Sequence, residues 1–135
     1  MLKYLPAYIG TIIFMFIADL IWLSQLAQSL YQAGIGHLMA ESPKLGFAAI
    51  FYLVFVFGLM WFAVHPNALA KGVRSAWIAG ANFEFFVYAS YDLTNLALLK
   101  DWPLKLSIID MIWGTLLSGT CAAVGKLVFD KTNKN

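Results

Sequence analysis

Residues 5–28, LPAYIGTIIFMFIADLIWLSQLAQ, form an apolar stretch long enough to cross a bilayer as one helix. Pro6 lies in the predicted first turn, where a missing backbone N–H is tolerated. Asp19 is the one charged residue of the stretch. An ionised carboxylate at that depth costs about 2.5–3.5 kcal/mol on insertion scales. The rest of the chain must therefore supply surroundings that tolerate Asp19.

Three further stretches of this kind follow, at about 44–64, 73–99 and 103–127. Ser42-Pro43 and Trp102-Pro103 are typical of helix starts, and Pro66 predicts the end of the second helix. The stretches are too long for transmembrane strands and lack their two-residue alternation. The sequence therefore predicts an all-α integral membrane protein, a four-helix bundle.

The composition agrees with a membrane protein that forms a single transmembrane domain over residues 1–135. The chain is 61% hydrophobic and 12% charged, whereas soluble domains carry about 25% charged residues. Its net charge of +2 comes from scattered basic residues, which argues against binding nucleic acid. Cys121 is the single cysteine, so an internal disulfide or a thiolate metal cluster is excluded. No metal site is predicted, and no cofactor is indicated.

The basic residues predict the orientation. Six fall on the side of the N-terminus: Lys3, Lys71, Arg74, Lys126, Lys131 and Lys134. Three fall on the other side: Lys44, Lys100 and Lys105. Since positive residues stay cytoplasmic, both termini and the 65–72 loop are predicted to face the cytoplasm. The 29–43 connection would face outward, either as a loop or as a continuation of the first span.

Four of the seven acidic residues lie inside the predicted spans: Asp19, Glu84, Asp92 and Asp110. All nine basic residues lie at span ends or in loops. With a rise of about 1.5 Å per residue, the three aspartates fall at one level, roughly 10–14 Å below the outer helix ends, and Glu84 lies deeper. Acids at this depth without basic neighbours predict a shared polar pocket in the outer half of the membrane.

Helical phase extends the pocket to neighbouring side chains. In the third span Glu84, Tyr88, Tyr91, Asp92 and Asn95 form one stripe. In the fourth span Asp110, Gly114, Ser118, Cys121 and Gly125 share a face of mostly small residues, with Trp113 beside it. The predicted ligand-binding residues are Asp19, Trp22, Tyr88, Tyr91, Asp92, Thr94, Asn95, Asp110 and Trp113, with Glu84 and Trp102 as secondary members.

Three functions are compatible with this pattern. In the first, the pocket binds or transports a cation, a proton or a small polar or cationic ligand, since aromatic faces beside carboxylates suit organic cations; a homodimer is compatible with so few helices. In the second, the protein is an enzyme or accessory protein acting on a lipid or fatty-acid substrate, with an Asp pair as acid and base or as a cradle for a divalent metal. In the third, the acids only join helices within a structural subunit.

A resemblance adds to this interpretation. The motifs Asp19-x-x-Trp22, Tyr91-Asp92-Leu93-Thr94-Asn95, Trp102-Pro103 and Asp110-x-x-Trp113-Gly114 resemble those of a family of small bacterial inner-membrane proteins, a domain of unknown function described as four-span. The resemblance covers essentially the whole chain, and the Tyr-Asp-Leu-Thr-Asn block is its specific part. It implies a bacterial cytoplasmic membrane and four helices, without a substrate, cofactor or catalytic residue.

Overall fold

Helices account for almost all of the chain that the structure, a computed structural model, describes, namely residues 2–68 and 72–133. In chain order they are α1 (Leu5–Ile21), α2 (Gln28–Ile35), α3 (Leu45–Leu59), α4 (Val73–Leu98) and α5 (Leu104–Thr132). Within those described ranges no strand is present. The all-α prediction is confirmed.

Three helical stretches are long and apolar enough to cross a membrane: Leu2–Leu26, Leu45–Asn67 and Leu104–Thr132. The first continues α1 through a π-helical turn at Trp22–Leu26, and the second continues α3 through a π-helical turn at Met60–Val64. These stretches correspond to the predicted spans 5–28, 44–64 and 103–127.

The predicted span 73–99 is the helix α4, whose 26 residues extend about 39 Å. It is less apolar than the other three, and Glu84 and Asp92 are among its buried residues. Its close partner is α5. A Cβ atom at Gly80 would lie 2.6 Å from the Ser118 carbonyl oxygen, so the two backbones nearly touch there. The polar face of α4 is therefore covered by α5.

The helix boundaries correct several sequence expectations. The helix α3 begins after Lys44 without a side-chain cap, so the predicted Ser42 cap is wrong. Pro103 is itself the N-cap residue of α5 rather than its first helical residue. The connection 29–43 begins with the helix α2, whose Gly34 packs against Pro103 at the start of α5. The basic residues Lys71 and Lys134 lie outside the described residues.

The apolar core lies where α1, α3 and α5 meet, with Val56, Leu59, Val64 and Cys121 among its fully buried members. The opposite side of α3 is open, and Phe47 is 73% exposed. Soluble proteins rarely expose a group of large apolar side chains to water, so this side of α3 suits contact with lipid. The core thus fixes α1, α3 and α5 around the region where α4 and α2 complete a polar cavity.

Candidate functional site

A polar cavity of about 260 Å³ lies between α1, α3, α4 and α5 and is also bordered by α2. Two carboxylates, three tyrosines, two tryptophans and a serine supply its polar atoms. The lining residues are Met15, Asp19, Trp22, Leu23, Tyr31, Ala48, Phe51, Tyr52, Glu84, Tyr88, Trp113, Gly114, Leu117 and Ser118. None of these residues, all within the described ranges, is basic.

The two carboxylates of the cavity come from different helices. Asp19 on α1 is half-buried, and its Oδ2 accepts a hydrogen bond of 3.1 Å from the Tyr52 hydroxyl on α3. Glu84 on α4 is 3% exposed, and its Oε2 has no hydrogen-bond partner in the described chain. A buried oxygen without a partner costs about 1–3 kcal/mol, more if charged. The cavity is therefore acceptor-rich and incompletely satisfied.

Two stacked tryptophans form one wall of the cavity. Trp22 and Trp113 have ring centroids 4.3 Å apart and an interplanar angle of 7°. The Trp113 indole neighbours Asp19, and the Trp22 indole neighbours Tyr31. Both indole N–H groups are buried, and neither has an acceptor among the described residues. Buried indoles usually find an acceptor, so these two N–H groups are exceptions and remain unused donors in the wall.

A glycine keeps the cavity open. A Cβ atom at Gly114 would lie 2.6 Å from Cε2 of Tyr88 and 3.2 Å from Cγ of Glu84. Real Cβ atoms do not approach so closely, so a side chain here would push the Tyr88 ring or Glu84 from its place. The small residue at position 114 is thus required by the site, as well as by the approach of α4 to α5.

The π-helical turn Trp22–Leu26 follows α1 directly and begins with Trp22, which lines the cavity. Here the Ser24 hydroxyl donates to the Leu20 carbonyl at 2.6 Å, and the Ala27 N–H donates to the Trp22 carbonyl at 2.8 Å. Short π-helical segments inside longer helices occur frequently at functional sites. This turn also leads the chain into α2, which brings Tyr31 to the cavity.

Asp110 does not line the cavity but is one hydrogen bond away from it. The Tyr31 hydroxyl, which borders the cavity, donates to Asp110 Oδ1 at 2.5 Å. Burial, followed by the adjacent Asp110 carboxylate, raises the pKa of Tyr31 well above its ordinary value. Tyr31 therefore stays protonated and ties α2 to α5 as a donor to Asp110.

Asp92 lies apart from the cavity, in a second buried location between α4 and α5. It is fully buried, and neither carboxylate oxygen has a hydrogen-bond partner in the described chain. Ser107 and Trp102 are neighbours, but the Trp102 indole donates to Ser107 Oγ at 3.0 Å instead. The Asn95 side-chain nitrogen is likewise buried without an acceptor.

The structure therefore divides the predicted ligand-binding residues. It brings Asp19, Trp22, Tyr88 and Trp113 into one cavity, with Glu84 as a full member rather than a secondary one. Asp92, Asn95 and Trp102 lie outside this cavity, and so does Asp110. The shared level of the three aspartates in the membrane does not place them in one pocket.

Tyr91 and Thr94 are exposed and do not line the cavity. Tyr91 packs edge-on against Trp102, with ring centroids 6.0 Å apart. Successive residues of an α-helix are about 100° apart, so Tyr91 is exposed although the adjacent Asp92 is buried. Thr94 lies two residues from Asp92, on the far side of α4 from it.

Three polar cavity residues were not among the predicted site residues: Tyr31, Tyr52 and Ser118. Ser118 was predicted only as part of the small-residue face of α5. Tyr52 is one of several aromatic residues on α3, and nothing in its spacing separates it from the lipid-facing ones. Tyr31 lies in the 29–43 connection, for which the sequence left open a loop or a continuation of the first span. Both reach their aspartates across long sequence separations, 33 residues for Tyr52 and 79 for Tyr31.

The described residues contain no group of three or more histidine, cysteine, aspartate and glutamate side chains that would hold a metal. Cys121 is fully buried in the core.

Comparisons with known proteins agree with the membrane character of the fold. A family model with the description "Predicted membrane protein (DUF2177)" matches residues 4–127. Neither the curated proteins nor the solved structures contain a match to the chain. Since the family match covers nearly the whole sequence, this chain belongs to the DUF2177 family of predicted membrane proteins, a family of unknown function.

Proposed function

We propose that this protein is a four-span protein of the bacterial inner membrane that binds a small organic cation in the cavity lined by Asp19 and Glu84. The observation that carries the proposal is the charge imbalance of that cavity. Two carboxylates border about 260 Å³ of space, and none of the described residues that line it is basic. In hydrocarbon, carboxylates persist when they are paired, protonated or bound to a cation.

The fourth span in this proposal is α4, and both termini face the cytoplasm. Its length suffices for a span, and its buried acids are covered by α5. Lys3, Arg74 and Lys131 lie on the proposed cytoplasmic side, following the positive-inside rule. The orientation is tested with Asn133→Cys, which a membrane-impermeant thiol reagent should label in inverted vesicles and not in intact cells. Cys121 is buried and should stay unlabelled.

The walls of the cavity favour an organic ammonium over a bare metal ion. The stacked Trp22 and Trp113 rings and the Tyr52 and Tyr88 rings surround the acids. Aromatic faces attract cations by about 0.5–2 kcal/mol per contact, and most strongly when desolvated. A cavity of this volume, below the usual 300–1,000 Å³ of drug-sized sites, suits a small ligand.

A purely structural role fits these residues less well than a binding role. Tyrosine hydroxyls from other helices donate to Asp110 and to Asp19, but Oε2 of Glu84 has no donor among the described residues. A carboxylate that only joined helices would have such a donor. A ligand with a positive centre would instead meet the carboxylates and the rings together.

The test uses the purified protein in phosphatidylcholine nanodiscs with tetramethylammonium as the probe. Binding should change the tryptophan fluorescence, whereas the neutral tert-butanol and equal concentrations of K⁺ should not. Asp19→Asn and Glu84→Gln should each weaken binding about tenfold to a hundredfold, because each removes one of the two negative charges that attract the ammonium, and about 1.4 kcal/mol corresponds to tenfold.

Matched controls make this outcome specific. Asp101→Asn and Glu41→Gln carry the same chemical changes at exposed positions and should bind as the unmodified protein does. Asparagine tolerates the left-handed backbone of Asp101, whose φ is 62°. Equal binding of tert-butanol, or equal losses in the controls, would refute the proposal. If Asp19→Asn lowers the unfolding midpoint and no variant or parent binds the probe, the acids only join helices.

A further inference from the structure

A second concavity, of about 450 Å³, lies at the end of the molecule where α1 begins and α3 ends. It runs between the first turns of α1 and the π-helical turn Met60–Val64. Apolar and aromatic side chains form most of it, including Leu5, Phe57 and Met60. Phe57 and Trp61 are each more than half exposed, so this groove is open to the side of the molecule.

The basic side chains among the described residues of the groove, Lys3 and His65, lie at one end of it. The hydroxyl of Tyr8 is removed from it because it donates to the Leu53 carbonyl at 2.8 Å. The sulfur of Met60 faces the buried Thr11 hydroxyl, 3.9 Å away. The groove therefore has an apolar body and a donor-bearing mouth.

The Lys3 ammonium has no carboxylate partner in the described chain. The salt bridge found among the described residues joins Lys126 to Asp130. Instead, Nζ of Lys3 lies 5.4 Å from the Tyr4 ring centroid and 5.9 Å from that of Phe129. Cation–π contacts of this length position a charge without neutralising it. An anion at the mouth of the groove would meet an ammonium held in place.

Aromatic rings also fix the position of His65. Its ring stacks on Trp61 with centroids 5.6 Å apart and an interplanar angle of 6°, and it lies 5.4 Å from the Tyr4 ring. Tryptophan and tyrosine rings are enriched at the level of the lipid headgroups. Both the helix end and its aromatic rings thus place the mouth of the groove at the membrane interface.

We propose that this groove binds one anionic phospholipid of the adjoining leaflet, with its phosphate at Lys3 and His65 and an acyl chain against Leu5, Phe57 and Met60. Charge complementarity at the mouth selects an anionic headgroup, and the apolar body requires a chain. This site does not depend on the cation cavity, because neither carboxylate of that cavity lines the groove.

The experiment measures retained lipid by native mass spectrometry of the detergent-purified protein, titrated with palmitoyl-oleoyl phosphatidylglycerol or phosphatidylcholine. The parent protein should retain phosphatidylglycerol preferentially. Lys3→Gln should reduce that preference about fivefold, since one lysine near an anionic headgroup contributes about 1 kcal/mol. Lys44→Gln, the same change at the opposite end of α3, should leave it unaltered. Glycerol 3-phosphate, a headgroup without chains, should not compete.

A second readout reports the groove itself. Phosphatidylglycerol brominated on its acyl chain should quench part of the tryptophan fluorescence in vesicles, and Trp61→Phe should remove that part. Equal retention of the two lipids, equal effects of Lys3→Gln and Lys44→Gln, or full competition by glycerol 3-phosphate would each overturn the proposal. The same holds if Trp61→Phe leaves the quenching unchanged.

Discussion

The acid-lined cavity and the apolar groove lie along the same two helices, yet their charged side chains have opposite sign. Each lies along α1 and α3, and each is bordered by a π-helical turn, Trp22–Leu26 for the cavity and Met60–Val64 for the groove. Carboxylates line the first, and Lys3 marks the mouth of the second. Depth in the membrane accounts for the difference.

Short acidic side chains in the middle of a span cannot reach the interface, so neighbouring helices must enclose them. A lysine at a helix end has a long stem that extends its ammonium towards the headgroups. Asp19 and Glu84 therefore face inward between helices, whereas Lys3 stays at the edge of an open groove. A charged side chain in the middle of a span is thus buried between helices, whereas one at the end of a span stays exposed.

Each region contains a pair of stacked, nearly parallel aromatic rings, but the two pairs connect different parts of the chain. Trp22 and Trp113 join α1 to α5 across 4.3 Å, so their stack holds two helices together at the cavity. Trp61 and His65 follow each other four residues apart along one stretch of chain, and their stack orders the mouth of the groove. The cavity thus depends on tertiary packing more than the groove does.

The largest effect, the loss of ligand binding together with stability, should come from filling the cavity at its glycine. Gly114→Ala places a Cβ atom 2.6 Å from the Tyr88 ring, and such overpacking costs about 1–3 kcal/mol. The displaced ring should also abolish tetramethylammonium binding while phosphatidylglycerol retention stays intact. Thermal unfolding and both binding assays measure this. In the matched control, Gly46→Ala, the added atom meets nothing within 4 Å. A loss of both ligands in Gly114→Ala would show that the regions are coupled.

Tyrosine-to-phenylalanine changes compare the hydrogen bonds of the two regions. Tyr31→Phe leaves the buried Asp110 carboxylate without its donor, so unfolding should become easier by about 1.5–3 kcal/mol. Tyr8→Phe removes a donor to the Leu53 carbonyl beside the groove, where membrane hydrogen bonds average about 0.6 kcal/mol. Titration with sodium dodecyl sulfate, followed by helical circular dichroism, measures both. Equal losses would contradict the distinction between the regions.

The smallest effect should come from Asp92, whose carboxylate has no hydrogen-bond partner among the described residues. Asp92→Asn should leave the unfolding midpoint unchanged or raise it, because neutralising an unpaired buried carboxylate removes a cost. Asp110→Asn is the matched comparison, and it should lower the midpoint since that carboxylate accepts from Tyr31. A larger loss from Asp92→Asn would mean that this carboxylate takes part in stabilising contacts.

Much of the helical arrangement was predictable from local sequence. In lipid every backbone polar group must be satisfied within the chain, so long apolar stretches have to be helices. Three predicted spans match helical stretches suited to crossing a membrane, and the fourth coincides with α4. Asp19 and Trp22 were expected together because they lie three residues apart on one helical face. The small-residue face of α5 was also evident from spacing.

The membership of the cavity was less predictable. Asp92 and Asp110 were predicted to lie at the same depth in the membrane as Asp19, but depth does not determine how a helix is rotated about its axis. Glu84 was expected to lie deeper and to be secondary, yet it is a full cavity residue. Tyr31 and Tyr52 come from segments whose patterns gave no sign of contact with the acids.

The amino-acid sequence by itself determined that this chain is helical and suited to a membrane, because hydrocarbon accepts only backbones whose hydrogen bonds are made internally. It also determined that the acidic side chains inside the spans need partners or neighbouring helices that separate them from lipid. Only the tertiary structure decided which of these acidic side chains share one cavity. Contact depends on how each helix is rotated about its axis and how closely two helices approach each other. Glycines such as Gly80 and Gly114 permit a close approach, and the atoms that lie against them belong to residues distant in the sequence.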